Sequence, residues 1–313
     1  MIRTPLMPTL LFLCAFLFLS ITAGISHHAD AGPLPQDDAG TPFRQTIANP
    51  PLPEALDFAG EPVPLHLFDV REALQRELTV LCYWHSSMIY TMQLAGRFFP
   101  IIEPVLRDEG VPDDFKYLCI AESNLQQAVS PMKAVGFWQF LEQTAKEYGL
   151  EINAEIDERY HIEKATRAAC AYLKKAREKY GSWAMAAASY NVGHKNLERY
   201  IARQQQHSYY NLLLPEETGR YLYRAAVFKL IHTAPALYGF HIHAGDRFKP
   251  LQWTEVKIDG AIDDWAAFAA DHGTNYKIFK YFNPWLRDAG LVNAGKKTYT
   301  VKIPKPGFRE AAP

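Results

Sequence analysis

The chain has 313 residues, enough for one substantial domain and a smaller one. Its 33 basic and 34 acidic residues leave a formal net charge of -1, which gives no electrostatic ground for nucleic acid or anionic lipid as the main partner. Hydrophobic residues at 48% and charged residues at 21% are ordinary for a soluble globular protein, and 13% aromatics suit sugar-stacking surfaces without deciding for them.

In chain order, Arg3 is followed by an uncharged stretch to Ser26 that is most apolar from Leu10 to Ile21. With Ala29-Asp30-Ala31 behind it, residues 1–31 read as a secretory signal with an A-x-A cleavage site; the competing reading is an uncleaved membrane anchor. A lipoprotein is disfavoured, because Cys14 lies inside the apolar core and follows Leu13. Residues 32–64 contain eight prolines and are expected to be a linker, a tether without regular helix. Helical patterns fill residues 65–246. A helix reaching Ser123 is announced by Val111-Pro112-Asp113-Asp114. A longer one runs near Glu163 to Tyr180, with Ala165, Ala168, Ala169, Tyr172, Leu173 and Ala176 on one stripe. Ser182 is placed to cap the next, Gly193 to stop it, and Pro215-Glu216-Glu217 to open another. From 247 to 306 the texture changes. Trp253 to Ile258 and Thr298 to Ile303 alternate like strands, and Asp263 to His272 and Asn275 to Phe282 read as short helices.

Beyond the signal stand Cys82, Cys119 and Cys170, an odd number with no C-x-x-C and no ligand-spaced histidines. Buried free thiols are the reading preferred for Cys119 and Cys170, and no metal is expected. Phe115, Leu118, Cys119 and Glu122 fall at i, i+3, i+4 and i+7, which puts Glu122 in line with an apolar stripe. A carboxyl there either swings out to cap a loop or is desolvated and kept protonated, as a general acid for a glycosidic oxygen must be.

From Ala121 to Phe140 the chain reads AESNLQQAVSPMKAVGFWQF. Glu122-Ser123, Gly136-Phe137-Trp138-Gln139, Asp157-Glu158-Arg159, Ser189-Tyr190-Asn191-x-Gly193 and Leu214-Pro-Glu-Glu-Thr-Gly-Arg-Tyr221 follow in order. Together they resemble the soluble and membrane-bound lytic transglycosylases of glycoside hydrolase family 23. Phe137, Ser189 and Tyr160-His161 depart from the family's usual residues without removing a group the chemistry requires.

The resemblance implies a mainly α fold, a lysozyme-like (soluble lytic transglycosylase) helical domain followed by a small βααβ LysM-like module that could bind glycan. It implies non-hydrolytic cleavage of the MurNAc-β-1,4-GlcNAc bond of peptidoglycan, leaving 1,6-anhydroMurNAc ends. In it Glu122 is acid and then base, and Tyr190 hydrogen-bonds Glu122 or the reacting sugar. Ser123, Gly136, Gln139, Asn191 and Glu217 line the substrate, although Gly136 also suits an ordinary tight turn and Glu217 a helix start. Trp138, Trp285 and Tyr299 are assigned to cores rather than sugar platforms, and Asp157 with Arg159 to a structural ion pair. No cofactor is implied, nor any nucleic acid. The partner is a glycan strand, the enzyme a monomer in the periplasm, and a membrane tether exists only if the signal is uncleaved. A hydrolase of related fold and a non-catalytic wall-binding protein are the rival readings.

Overall fold

The computed structural model describes residues 47–309; the expected signal and the first part of the proline-rich stretch lie outside the described residues. A compact unit begins at Asn49. Its first element is a short antiparallel hairpin of β1 (Asp57–Phe58) and β2 (Glu61–Pro62). Leu56, Phe58, Val63 and Leu65 around it are buried in the main core. From Leu56 onward the expected tether is therefore part of the domain. Prolines remove a backbone donor and disfavour regular helix, but the apolar residues between them can still pack.

The helices follow as α1 (Phe68–Tyr83), α2 (His85–Asp108), α3 (Phe115–Ser123), α4 (Glu142–Glu147), α5 (Ile162–Tyr180), α6 (Trp183–Val192), α7 (His194–Gln204) and α8 (Glu216–Thr233). Pro100 and Pro104 sit inside α2, and the helix runs through both. The small-residue stripe expected on α5 is buried, which lets α6 approach closely. Helix α6 is enclosed along Ala184 to Ser189 and stops at Gly193. Its first amides are satisfied twice over. Ser182 Oγ accepts from Met185 N at 3.1 Å, and the Glu61 carboxylate on β2 accepts from Trp183 N at 2.8 Å and Ala184 N at 3.1 Å.

The smaller module runs β3 (Trp253–Ile258), α9 (Trp265–Asp271), α10 (Tyr276–Phe282) and β4 (Tyr299–Pro304), the order expected from sequence. The strands pair antiparallel, from Trp253 opposite Pro304 to Ile258 opposite Tyr299. Asp264 and Asn275 side chains cap the two helices. Asn283, fully buried, donates to Phe279 O and Lys302 O and accepts from Lys302 N, stitching α10 to β4. Trp265 and Phe279 stack with centroids 5.1 Å apart, and Trp285 and Tyr299 are buried, so these aromatics serve the core. One member of that core comes from outside the module. Ile156, 1% exposed, is inserted from the larger domain. Around it Asp157 N donates to Trp285 O at 2.9 Å and Arg287 N to Glu155 O at 2.6 Å, a short antiparallel seam.

Candidate active site

Glu122 lies in the last turn of α3, which ends where Asn124 turns left-handed at a φ of 51°. Phe115, Leu118 and Cys119 of its stripe are fully buried, and Glu122 itself keeps a partly exposed edge. Burial is the largest influence on its carboxyl and pushes the pKa up to about 7. A hydrogen bond donated by the Tyr221 hydroxyl to Oε1 opposes this, the charge of Glu217 adds to it, and the Arg224 guanidinium works against it. The negative end of the α3 dipole also disfavours the carboxylate. Near neutral pH the group is therefore poised between acid and base. Oε2 has no hydrogen-bond partner among the described residues.

Tyr221 carries a role that the sequence reading gave to Tyr190. The Tyr190 hydroxyl, on α6, donates to Trp138 O at 2.8 Å. It still belongs to the surroundings of Glu122, whose charge, after burial, helps to keep the phenol neutral. The signal for Tyr221 was present: it ends the quoted Pro-Glu-Glu-Thr-Gly-Arg-Tyr run and falls four residues after Glu217. Helical spacing therefore puts the two on one face of α8.

The other expected residues divide. Ser123 Oγ donates back to Cys119 O at 3.2 Å and stays within its own helix. Asn191 accepts from Thr218 Oγ1 at 2.7 Å, tying the end of α6 to the start of α8. Gln139, at a φ of 47°, donates to Ala128 O at 3.0 Å and Gly136 O at 2.8 Å, which closes the loop that follows Glu122. Glu217 is exposed in the first turn of α8, near enough for its charge to reach Glu122.

Gly136 has a φ of 84°, and a Cβ there would lie 2.1 Å from Arg159 O. The close passage of the Arg159 carbonyl is by itself enough to require a glycine there. Arg159 holds Asp157 through Nε–H to Oδ1 at 2.9 Å and Nη2–H to Oδ2 at 2.7 Å. Its Nη1 donates onward to Lys133 O at 3.2 Å and Phe140 O at 3.3 Å. The pair is structural, and what it shapes is the loop of the site. Trp138 is fully buried with its indole N–H on Thr166 Oγ1 at 2.9 Å, a core residue of α5 and the loop. Cys82, Cys119 and Cys170 are buried free thiols. Among the described residues no group of three or more His, Cys, Asp or Glu side chains is placed to hold a metal ion.

A half-buried acid at a helix end, a tyrosine donor and a loop pinned beneath them form an arrangement that suits general acid-base chemistry. Residues 99–213 match the family model of the transglycosylase SLT domain. Residues 254–307 match that of the soluble lytic transglycosylase C-terminal LysM-like domain. The chain thus carries the two domains that the motifs and the βααβ order had suggested. It is similar to membrane-bound lytic murein transglycosylase D of Escherichia coli strain K12, at 25% identity over 246 residues. These make up 75% of this chain and 52% of that protein, and the same figures hold for the protein of that name from Escherichia coli O6:H1 strain CFT073. The chain spans about half the length of the curated relatives it matches.

Proposed function

We propose that the protein is a peptidoglycan lytic transglycosylase in which Glu122 acts as acid and then as base. The observation that carries this reading is the Glu122 carboxyl, held by Tyr221 and raised to a pKa of about 7 inside a matched transglycosylase SLT domain. Protonated Glu122 gives its proton to the oxygen between N-acetylmuramic acid and N-acetylglucosamine, and the C1–O bond breaks. The muramic C6 hydroxyl then attacks C1, and its proton passes to the Glu122 carboxylate. The ring closes as a 1,6-anhydro product, no water is consumed, and the enzyme's proton is restored. An intramolecular nucleophile makes a second carboxylate unnecessary, because its effective concentration far exceeds what an untethered hydroxyl could supply.

Ser123, Gly136, Gln139, Asn191 and Tyr190 contribute by fixing the surroundings of Glu122, and Glu217, exposed beside it, by facing the substrate. On this reading the enzyme works in the periplasm, as a monomer at the glycan strand. Among the described residues no helix is long and apolar enough to cross a membrane. The test is mass spectrometry of material released from purified sacculi by the protein and by E122Q. Anhydro-ended muropeptides, absent with E122Q, are expected. Reducing ends would overturn the intramolecular step and turn attention to Glu217 as a water-activating base. Binding without release would leave a wall-binding protein.

A further inference from the structure

Glu77 on α1 is a buried carboxylate, 1% exposed, that the mechanism above does not use. It is held between two arginines of α8. Arg220 Nε donates to Oε1 at 2.5 Å, and Arg224 Nε lies 3.5 Å from Oε2. Arg220 has a second carboxylate in Glu216, at 3.2 Å, which in turn meets Arg76 at 2.9 Å. For Arg224, Glu77 is the carboxylate partner among the described residues.

Glu217, Tyr221 and Arg224 fall at i, i+4 and i+7, so one stripe of α8 faces Glu122. The groups acting on Glu122 can be named from each element around it. Cys119 on its own helix, Tyr190 from α6 and Tyr221 from α8 are all held neutral by burial, their pKa values well above the ordinary ones. Glu217 and Arg224 supply the charges. An arginine in that stripe has a half-buried carboxylate within its influence and a flexible chain with which to approach it. Were it to pair with Glu122, the acid would ionise and the proton needed for the glycosidic oxygen would be lost.

We propose that Glu77 is a positioning residue that anchors the Arg224 guanidinium on the α1 side of α8 and so prevents it from ion-pairing with Glu122. The two carboxylates compete for one arginine. The buried one wins because it is already held by Arg220 and cannot leave without stranding its own charge. This rests on the reading of Glu122 as the acid.

The test is a pH titration of the Glu122 carboxyl by carbon-13 NMR on the full chain, the resonance assigned by its loss in E122Q. In E77Q the midpoint is expected to fall by about one unit, as an unshielded guanidinium reaches the site. In E77Q/R224M it returns to the wild-type value or above. A purely structural Glu77 would lower the melting temperature and leave the midpoint in place. An unmoved midpoint in folded E77Q, or a fall that persists in E77Q/R224M, overturns the proposal. Should E77Q fail to fold, E77D serves. It keeps the charge but withdraws the carboxylate by one methylene, a smaller fall is expected, and no fall overturns the proposal. Wild-type turnover of sacculi is measured in parallel. Its absence would defeat the transglycosylase reading, whereas the titration still decides what Glu77 does to Arg224.

Discussion

In the proposed reaction Glu122 must meet two demands that bulk water sets against each other, keeping a proton near neutral pH and releasing it to a poor base. The structure answers with burial at a helix end, offset by the Tyr221 hydroxyl, and the pKa comes to about 7. The rate should therefore fall as pH rises through about 7, as the acid ionises. Tyr221→Phe removes a bond worth about 1.5–3 kcal/mol to a charged acceptor, so a roughly ten- to hundredfold loss of kcat/KM is expected. Because that bond favours the carboxylate, the alkaline limb of the Y221F profile should move upward; a downward move would contradict the assignment. The same acid costs stability. Its pKa is above the ordinary 4.5, so the folded state binds more protons than the unfolded one, and stability declines as pH rises from 4.5 to about 7. E122Q should melt higher than wild type above this window and equally with it below 4.5, a comparison thermal denaturation can make.

At the scale of elements, the candidate site is the meeting of the C-terminus of α3, the first turns of α8 and the loop between residues 124 and 140. The loop is pinned from below by Arg159, whose carbonyl occupies the space that a side chain at position 136 would need. Gly136→Ala combines a clash with a left-handed φ, and strain of this kind costs on the order of 1–3 kcal/mol. Relief requires the loop to rise from Arg159. The G136A protein should therefore melt lower and also lose turnover, with glycan binding affected less than kcat. Unchanged kinetics in a folded G136A protein would detach the loop from the chemistry.

For the whole molecule, the question is how the LysM-like module sits. It is docked by charge as well as by the Ile156 insertion. Lys302 and His161 hold Glu163, with His161 Nδ1 3.2 Å from Oε2, and the Tyr299 hydroxyl donates to Glu151 at 3.2 Å. The Arg287 guanidinium lies 4.1 Å from the centre of the Tyr160 ring. Tyr160 and His161 are thus module contacts. Burial alone would raise the Glu163 pKa; His161 and Lys302 outweigh it and hold it at about 2. With the folded value depressed, this contact stabilises above the ordinary 4.5 and is lost as pH falls from there toward 2. Glu163→Gln should reduce the acid sensitivity of the seam, read by hydrogen exchange at residues 155–157 and 285–287. Ile156→Ala should destabilise by roughly 2–5 kcal/mol, because it opens a cavity in a small core. If the module were merely tethered, neither change would alter exchange in the other half of the seam.

Much of this was legible in the chain itself. Periodicity placed α5, α9 and α10 and both module strands, because burial of one face writes a repeat of 3.6 or 2 into the residues. The Ser182 cap and the Gly193 stop, which placed α6, were legible for a similar reason, since a helix end needs local residues to satisfy its amides and to turn the chain. The stripe ending at Glu122 pointed to a desolvated acid. What sequence alone could not settle were relations across the fold. That Tyr221 and not Tyr190 reaches Glu122 depends on how α8 lies against α3. That Gly136 answers to Arg159, that Glu77 holds Arg224, and that Ile156 completes another module's core depend on residues far apart in the chain. From Leu56 onward the proline-rich stretch packs instead of tethering, because proline content reports which backbone conformations are disfavoured and says nothing of which apolar side chains find a core. Local sequence determines an element when its physics is local; the site was decided by packing, where distant side chains set one another's charge and position.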